Sequence, residues 1–162
     1  GPDDTHLLPR LLASDKKKQL KRIGDGSNLV DISYIDNVAH AHILAADNLS
    51  STGTACGKPY FISQGSPVNL WSWIAELFVE ISVPAIPSSL AEKAAYRVGG
   101  VLECFHSLCR LKTEPRMTRF LSEQLAKSQY FSIARAQQDL GYMPIVSTEE
   151  GLRKTVKWLK GQ

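Results

Sequence analysis

The patterns that hold metals or close disulfides are missing from this 162-residue chain. Its three cysteines, Cys56, Cys104 and Cys109, are an odd number with no C-x-x-C spacing and no histidines set to complete a zinc site. Reduced thiols are therefore expected. His40 and His42 stand two positions apart in an expected helix and point to opposite sides, so no metal is expected. No stretch approaches the roughly 18 to 20 apolar residues of a membrane-spanning helix, and no basic-then-apolar signal segment opens the chain. These absences lead to the expectation of a cytoplasmic protein. The net charge of +3 is mild, and the lysines are scattered apart from Lys16, Lys17, Lys18, Lys21 and Arg22. That short run reads as a solvated helix end, and no nucleic-acid partner is expected.

Catalytic machinery is equally scarce. A nicotinamide-binding Rossmann turn needs three glycines between a strand and a helix, so that backbone N–H groups can receive the pyrophosphate. The nearest match, Gly24-Asp-Gly-Ser-Asn-Leu29, lacks the third glycine and precedes an expected strand. A tyrosine acting as general acid beside a lysine four residues on is also missing. The residues four after Tyr34, Tyr60, Tyr96, Tyr130 and Tyr142 are Val38, Gln64, Gly100, Ala134 and Val146. No Gly-x-Ser-x-Gly turn or His-Glu-x-x-His pair occurs. No catalytic or cofactor-binding residue, and no cofactor, is expected for this chain alone.

What the chain does have is 43% hydrophobic and 22% charged residues, enough for one core in a single domain or a compact piece of a larger one. The expected class is α/β. Leu7, Leu8, Leu11 and Leu12 suggest a helix over 6–18. Short strands are expected at 20–23 and 29–34, joined by a hairpin-like turn at 24–28. Asp36 and Asn37 read as a helix cap for an apolar run ending near Asn48. The aromatic and β-branched segment 59–63 reads as a strand, and 69–81 as a helix with a broad apolar face. Pro84 and Pro87 bracket an extended piece. A helical stretch is expected over 89–112, weakened at Gly99-Gly100 so that it reads as a pair of helices. A helix is expected over 117–126, a short strand at 129–131, and a helix over 133–140 capped by Ser132 with Gly141 beyond its end. Ser147-Thr-Glu-Glu150 is a capping box opening the last helix.

The stretch Gly24-Asp-Gly-Ser-Asn-Leu-Val-Asp-Ile-Ser-Tyr-Ile-Asp-Asn-Val-Ala-His-Ala-His-Ile-Leu-Ala-Ala46 resembles the signature that extended short-chain dehydrogenases carry after their catalytic tyrosine. Lys58-Pro-Tyr-Phe-Ile-Ser-Gln-Gly-Ser-Pro-Val68 is similar to the next strand and turn. Tyr130-Phe-Ser-Ile-Ala-Arg-Ala-Gln-Gln-Asp-Leu-Gly-Tyr-Met-Pro144, with Ser147 to Leu152, is similar to the closing motif. The branch that fits is the 3β-hydroxysteroid dehydrogenase family. Glu114-Pro-Arg-Met-Thr-Arg-Phe-Leu-Ser-Glu-Gln-Leu125 most resembles bacterial 2-alkyl-3-oxoalkanoate reductases, themselves similar to sterol-4-alpha-carboxylate 3-dehydrogenases.

The resemblance implies the C-terminal portion of an extended Rossmann-type enzyme, with a few strands and a helix-rich substrate-binding region spanning 1–162. The N-terminal half, with its NAD or NADP site, is expected to lie outside this chain. Sugar-nucleotide epimerases of the superfamily carry an arginine where Val30 stands, directly before Asp31. Exchanging a cationic clamp for a methyl surface favours an apolar substrate over a diphosphate. Implied substrate contacts fall on Asn28, Val30, Tyr34, Arg116, Met117 and Arg119. Three of these have a plainer reading, Tyr34 as core and Arg116 and Arg119 as surface or helix-end charges, and the apolar face of 90–111 reads equally as ordinary packing.

Two functions are therefore expected to compete. One is the substrate half of a nicotinamide-dependent oxidoreductase acting on the 3-hydroxy or 3-oxo group of a steroid, sterol or long-chain lipid-like acid, inactive alone. The other is a non-catalytic module that binds an apolar ligand or self-associates. Partners would be an apolar small molecule, the N-terminal half or a second copy, with membrane-surface contact through 90–111 as a further option.

Overall fold

Among the described residues the strands are two residues long, so helices and turn chemistry supply nearly all of the order there. The computed structural model describes residues 1–2, 9, 12, 20–84, 86, 88–111, 113 and 115–161. The elements run β1 (Arg22–Ile23), β2 (Leu29–Val30), α1 (Ile35–Ser51), β3 (Val68–Asn69), α2 (Leu70–Glu80), β4 (Ser89–Leu90), α3 (Glu92–Leu108), α4 (Arg119–Ala126), α5 (Ala134–Leu140) and α6 (Thr148–Lys160). Apart from Pro9 and Leu12, the helix expected over 6–18, with Lys16, Lys17 and Lys18, lies outside the described residues.

The chain divides into two compact units: Gly1–Asp4, Val30–Val68 and Tyr130–Gln162 form the first, Thr5–Leu29 and Asn69–Gln129 the second. In the first unit, Ala41 of α1 packs with Ile133, Ala136 and Tyr142, and Leu44, Tyr60, Ile62 and Leu140 close around them. Tyr142 is fully buried, and its hydroxyl donates to the Ser63 carbonyl at 3.0 Å. That bond gives the one polar atom of a large ring a partner inside the core. α6 buries Gly151, Leu152, Thr155 and Val156 on one face. Its start is set by the Ser147 hydroxyl, which accepts from Glu150 N–H at 3.2 Å, as the capping box predicts. α5 ends where Gly141 turns left-handed, φ 65°, the conformation glycine adopts without a Cβ penalty.

In the second unit, α2 buries Trp71, Ile74, Leu77 and Phe78, the i, i+3, i+6, i+7 positions of one helical face. Asn69 caps it, its Oδ1 accepting from Ser72 N–H at 2.8 Å. The Trp71 indole donates to the Leu125 carbonyl at 3.2 Å and so ties α2 to α4. β1 pairs in parallel with β4, Arg22 opposite Ser89 and Ile23 opposite Leu90.

Several expectations are corrected. Gly24 and Gly26 do turn with positive φ, but β1 leaves the turn to pair with distant β4, so the turn joins no hairpin. The strand expected at 29–34 is confined to Leu29–Val30. The segment 59–63 forms no strand: its cross-links are Gln64 N–H to the Ile32 carbonyl at 3.3 Å and the Ser33 hydroxyl to the Ile62 carbonyl at 3.0 Å, too few for a ladder. Near 129–131 there is a bridge at Gln129 alone, whose N–H reaches the Leu29 carbonyl at 2.8 Å.

Asp36 and Asn37 are no cap either. α1 begins at Ile35 with Tyr34 at the capping position and no side-chain cap bond, and Asn37, inside the first turn, bonds Ile145 instead. Ser132 accepts from Ala134 N–H at 3.3 Å, but Ile133 occupies the capping position of α5. Finally, α3 runs unbroken through Gly99-Gly100. Gly99 is there because the turn before α4 passes against it: a Cβ at Gly99 would stand 2.6 Å from the Thr118 carbonyl carbon.

Candidate functional site

In the second unit the candidate residues gather on a turn and at the start of a helix. The turn before β2 is knit locally: the Asp25 carboxylate accepts from Ser27 N–H at 2.9 Å and from its hydroxyl at 2.7 Å. These bonds hold the Asp25 carboxyl below its ordinary value, the backbone bond contributing most. The Asn69 side chain donates to the Gly26 carbonyl at 2.7 Å and fastens the turn to the start of α2.

Asn28 follows. Its carbonyl accepts from Leu70 N–H at 3.2 Å, and the next N–H, of Leu29, donates to the Ser128 hydroxyl at 3.0 Å. The backbone is thus held on both sides, and the residue is 3% exposed. Neither Nδ2 nor Oδ1 of Asn28 has a hydrogen-bond partner among the described residues. Burying an amide without partners costs about 1–3 kcal/mol, which a fold sustains where something else completes the bonds, such as a ligand or an ordered water.

At the start of α4, Arg116 is exposed and Met117 half-buried. Arg119, the first residue of α4, is held by Glu103 of α3. The carboxylate accepts from Arg119 Nε at 2.7 Å with one oxygen and from its backbone N–H at 2.7 Å with the other. The guanidinium also lies 5.9 Å from the centre of the Tyr96 ring. The backbone bond, then the side-chain bond, depresses the Glu103 carboxyl, and Glu103 in turn raises the Arg119 guanidinium. Arg119 therefore has a charge partner within its own unit, so recruiting it to a substrate carboxylate means competing with Glu103. Sequence reasoning missed Glu103, which stands sixteen positions away on a different helix.

Val30 and Tyr34 belong to the first unit. Val30 is half-buried, and the Asp31 carboxylate beside it accepts from Phe131 N–H at 2.7 Å. Tyr34 is buried against α6: a Cβ at Gly151 would come within 2.9 Å of its ring, and Lys154 Nζ lies 5.6 Å from the ring centre. Burial is the main cause raising its phenol above the ordinary value. The contacts of Tyr34 are those of a packing residue. Of the six residues, then, the structure gathers Arg116, Met117 and Arg119 at one helix start and sets Asn28 in the same unit.

Asn37, also fully buried, is the polar residue with the richest contacts. Its Nδ2 donates to Gln64 Oε1 and to the Val146 carbonyl at 2.8 Å, and its Oδ1 accepts from the N–H groups of Ile145 at 2.8 Å and Val146 at 2.9 Å. Among the described residues no group of three or more His, Cys, Asp or Glu side chains could hold a metal.

The model of the 3-beta hydroxysteroid dehydrogenase/isomerase family matches residues 1–89, more than half of the chain. The chain belongs to that family.

Relatives extend the likeness over the rest. A 2-alkyl-3-oxoalkanoate reductase of Stenotrophomonas maltophilia (strain K279a) is 43% identical over 154 residues, covering 95% of this chain and 47% of the relative. The decarboxylating sterol-4-alpha-carboxylate 3-dehydrogenase erg26 of Schizosaccharomyces pombe is 37% identical over 169 residues, covering 98% and 47%. The crystal structure of gox2253 shares the fold, with a TM-score of 0.62 at 23% identity, over 99% of this chain and 46% of that one. The chain thus spans about half the length of the relatives it matches. It is the C-terminal portion of a Rossmann-type fold in this dehydrogenase family, as the motifs implied. No helix among the described residues is long and apolar enough to cross a membrane.

Proposed function

We propose that this chain is the substrate-side part of a nicotinamide-dependent oxidoreductase acting on the 3-hydroxy or 3-oxo carbon of a steroid, sterol or long-chain lipid-like acid. The observation that carries the reading is likeness across nearly the whole chain to a 2-alkyl-3-oxoalkanoate reductase, at 43% identity. The buried, unpartnered amide of Asn28 supports it. In this reading Nδ2 donates to a substrate oxygen and Oδ1 accepts from a hydroxyl, so the amide orients the oxygenated end of an otherwise greasy molecule. Met117 contributes half-buried apolar surface, and Arg116 or Arg119 supplies the guanidinium for a carboxylate. NAD or NADP supplies or takes the hydride, and its site belongs to the part of the parent enzyme that this chain does not span.

The test is nicotinamide oxidation by the parent enzyme with a 2-alkyl-3-oxoalkanoate, and nicotinamide reduction with a 3-hydroxysterol carboxylate. One of the two should turn over, and the 162-residue chain alone should turn over neither. Turnover by the isolated chain, or by the parent enzyme on a nucleotide sugar in place of both lipids, would overturn the proposal. A second reading, an apolar-ligand-binding module without chemistry, rests on the same Asn28 amide; sterol or fatty-acid binding by a parent protein lacking turnover would favour it.

A further inference from the structure

Arg119 is an exposed arginine that the fold nevertheless holds in place. Tyr96, Gly100 and Glu103 follow one another along one face of α3, at spacings of four and three residues, and together they form a trough for its side chain. A Cβ at Gly100 would lie 3.5 Å from Cδ and 3.9 Å from Cγ of Arg119, so the aliphatic stem runs over bare helix backbone. The guanidinium sits 5.9 Å from the centre of the Tyr96 ring, and the Glu103 carboxylate accepts from Nε at 2.7 Å. Its other oxygen takes the Arg119 backbone N–H, also at 2.7 Å. Stem, ring contact, Nε and backbone are all fixed from one helix, although the Arg119 side chain is 55% exposed.

An ordinary surface ion pair needs none of this, since exposed pairs are mobile and contribute little. The way Glu103 divides its oxygens separates the two cases. A carboxylate that simply neutralises an arginine takes two guanidinium N–H groups side by side, whereas Glu103 takes one, at Nε, and places its second oxygen on backbone. Neither Nη of Arg119 makes a hydrogen bond with a described residue, and the Tyr96 phenol is the other polar group that bears on the guanidinium. The end-on edge therefore keeps its parallel pair of N–H donors, the geometry that matches a planar carboxylate. Glu103 competes with a ligand there for charge but not for these two donors.

We propose that Arg119 is the residue that reads the substrate carboxylate, and that Tyr96, Gly100 and Glu103 are positioning residues that hold its Nη edge ready. The proposal rests on the oxidoreductase reading above and narrows its carboxylate contact to one side chain. Fixing an arginine beforehand removes an ordering cost worth up to about ten-fold in affinity. Repulsion between Glu103 and the incoming carboxylate opposes this, and solvent around a half-exposed side chain screens it to the smaller effect.

Kinetics of the parent enzyme on a 2-alkyl-3-hydroxyalkanoic acid and on a 3-hydroxysterol carboxylate, each beside its methyl ester, test it. The readout is the acid-to-ester ratio of kcat/KM, which a general loss of folding or of hydride transfer does not move. R119A should lower the ratio about thirty-fold, and R119K about ten-fold, because an ammonium has no fork. E103A should lower it about five-fold through KM for the acid, with kcat within about two-fold. Added to R119A, it should lower the ratio no further, since Glu103 acts through Arg119. An unchanged ratio in R119A or in E103A, or a further five-fold loss when E103A is added to R119A, overturns the proposal and leaves the oxidoreductase reading standing. Absence of turnover of all four compounds by the unaltered enzyme overturns that reading, and this proposal with it.

Discussion

Two buried asparagines, one in each unit, face opposite circumstances. Asn37 fills four hydrogen bonds and pins Ile145 and Val146 to the first turn of α1. Asn28 is nearly as buried, and its side chain makes none with the described residues. A saturated amide is a structural staple, because every partner loses its bond when the amide goes. An empty one contributes little to the isolated fold and keeps its bonding capacity for a ligand.

The sharpest way to break the comparison is Asn37→Ala. Unpairing the amide's several partners in a dry site should cost about 3–5 kcal/mol, read as a fall in the urea midpoint. A cost under about 1 kcal/mol would remove the staple reading. Next in size is Gly99→Ala, whose new Cβ meets backbone of Thr118 at 2.6 Å and of Arg119 at 2.7 Å. Moving α4 should cost about 1–3 kcal/mol. Its neighbour is the control: a Cβ at Gly100 finds only the Arg119 side chain at 3.5 Å, so Gly100→Ala should stabilise by about 0.5–1 kcal/mol. Equal effects at the two sites would refute the close approach.

Asn28→Leu should then leave stability unchanged or raise it by about 1 kcal/mol, since it removes an unpaired polar group. In the parent enzyme the same change should raise KM for the lipid substrate about ten-fold or more. A loss of stability comparable to that of Asn37→Ala would make the two asparagines equivalent.

The smallest effect concerns acid. The Glu103 carboxyl is depressed in the folded chain, so its pairing with Arg119 is complete above the ordinary glutamate value and is lost as pH falls through the lower, folded one. Glu103→Gln should flatten that acid limb of thermal stability and leave neutral pH little changed. An unchanged acid limb would show that the pair contributes nothing.

Features written in adjacent residues were legible in the sequence. Ser147 before α6 and Gly141 after α5 are local chemistry, and each falls in place. Family motifs reached further, because they encode a whole fold in a run of residues. Asn37 was misread because its partners stand 108 and 109 positions away, and a polar residue next to an apolar run looks like a cap. Gly99-Gly100 looked like a weak point in a helix, since a sequence shows a missing side chain but not the backbone passing where it would be. The β-rich segment 59–63 had the composition of a strand and lacked a ladder beside it. Of the candidate contacts, Tyr34 and Arg119 were visible as residues, but their engagements with Gly151 and Glu103 were not. The empty amide of Asn28 carries no signature in sequence at all.

The Asn37 staple also sets a schedule. Its bonds to Ile145 and Val146 cannot form until those residues have been synthesised, whereas every residue of the second unit precedes Tyr130. On a ribosome the second unit can settle while the first still waits for its closing segment, because contacts between distant residues form late. A nascent chain stopped before Ile145 would accordingly present α1 with the partners of Asn37 missing, the state in which a chaperone would find work to do.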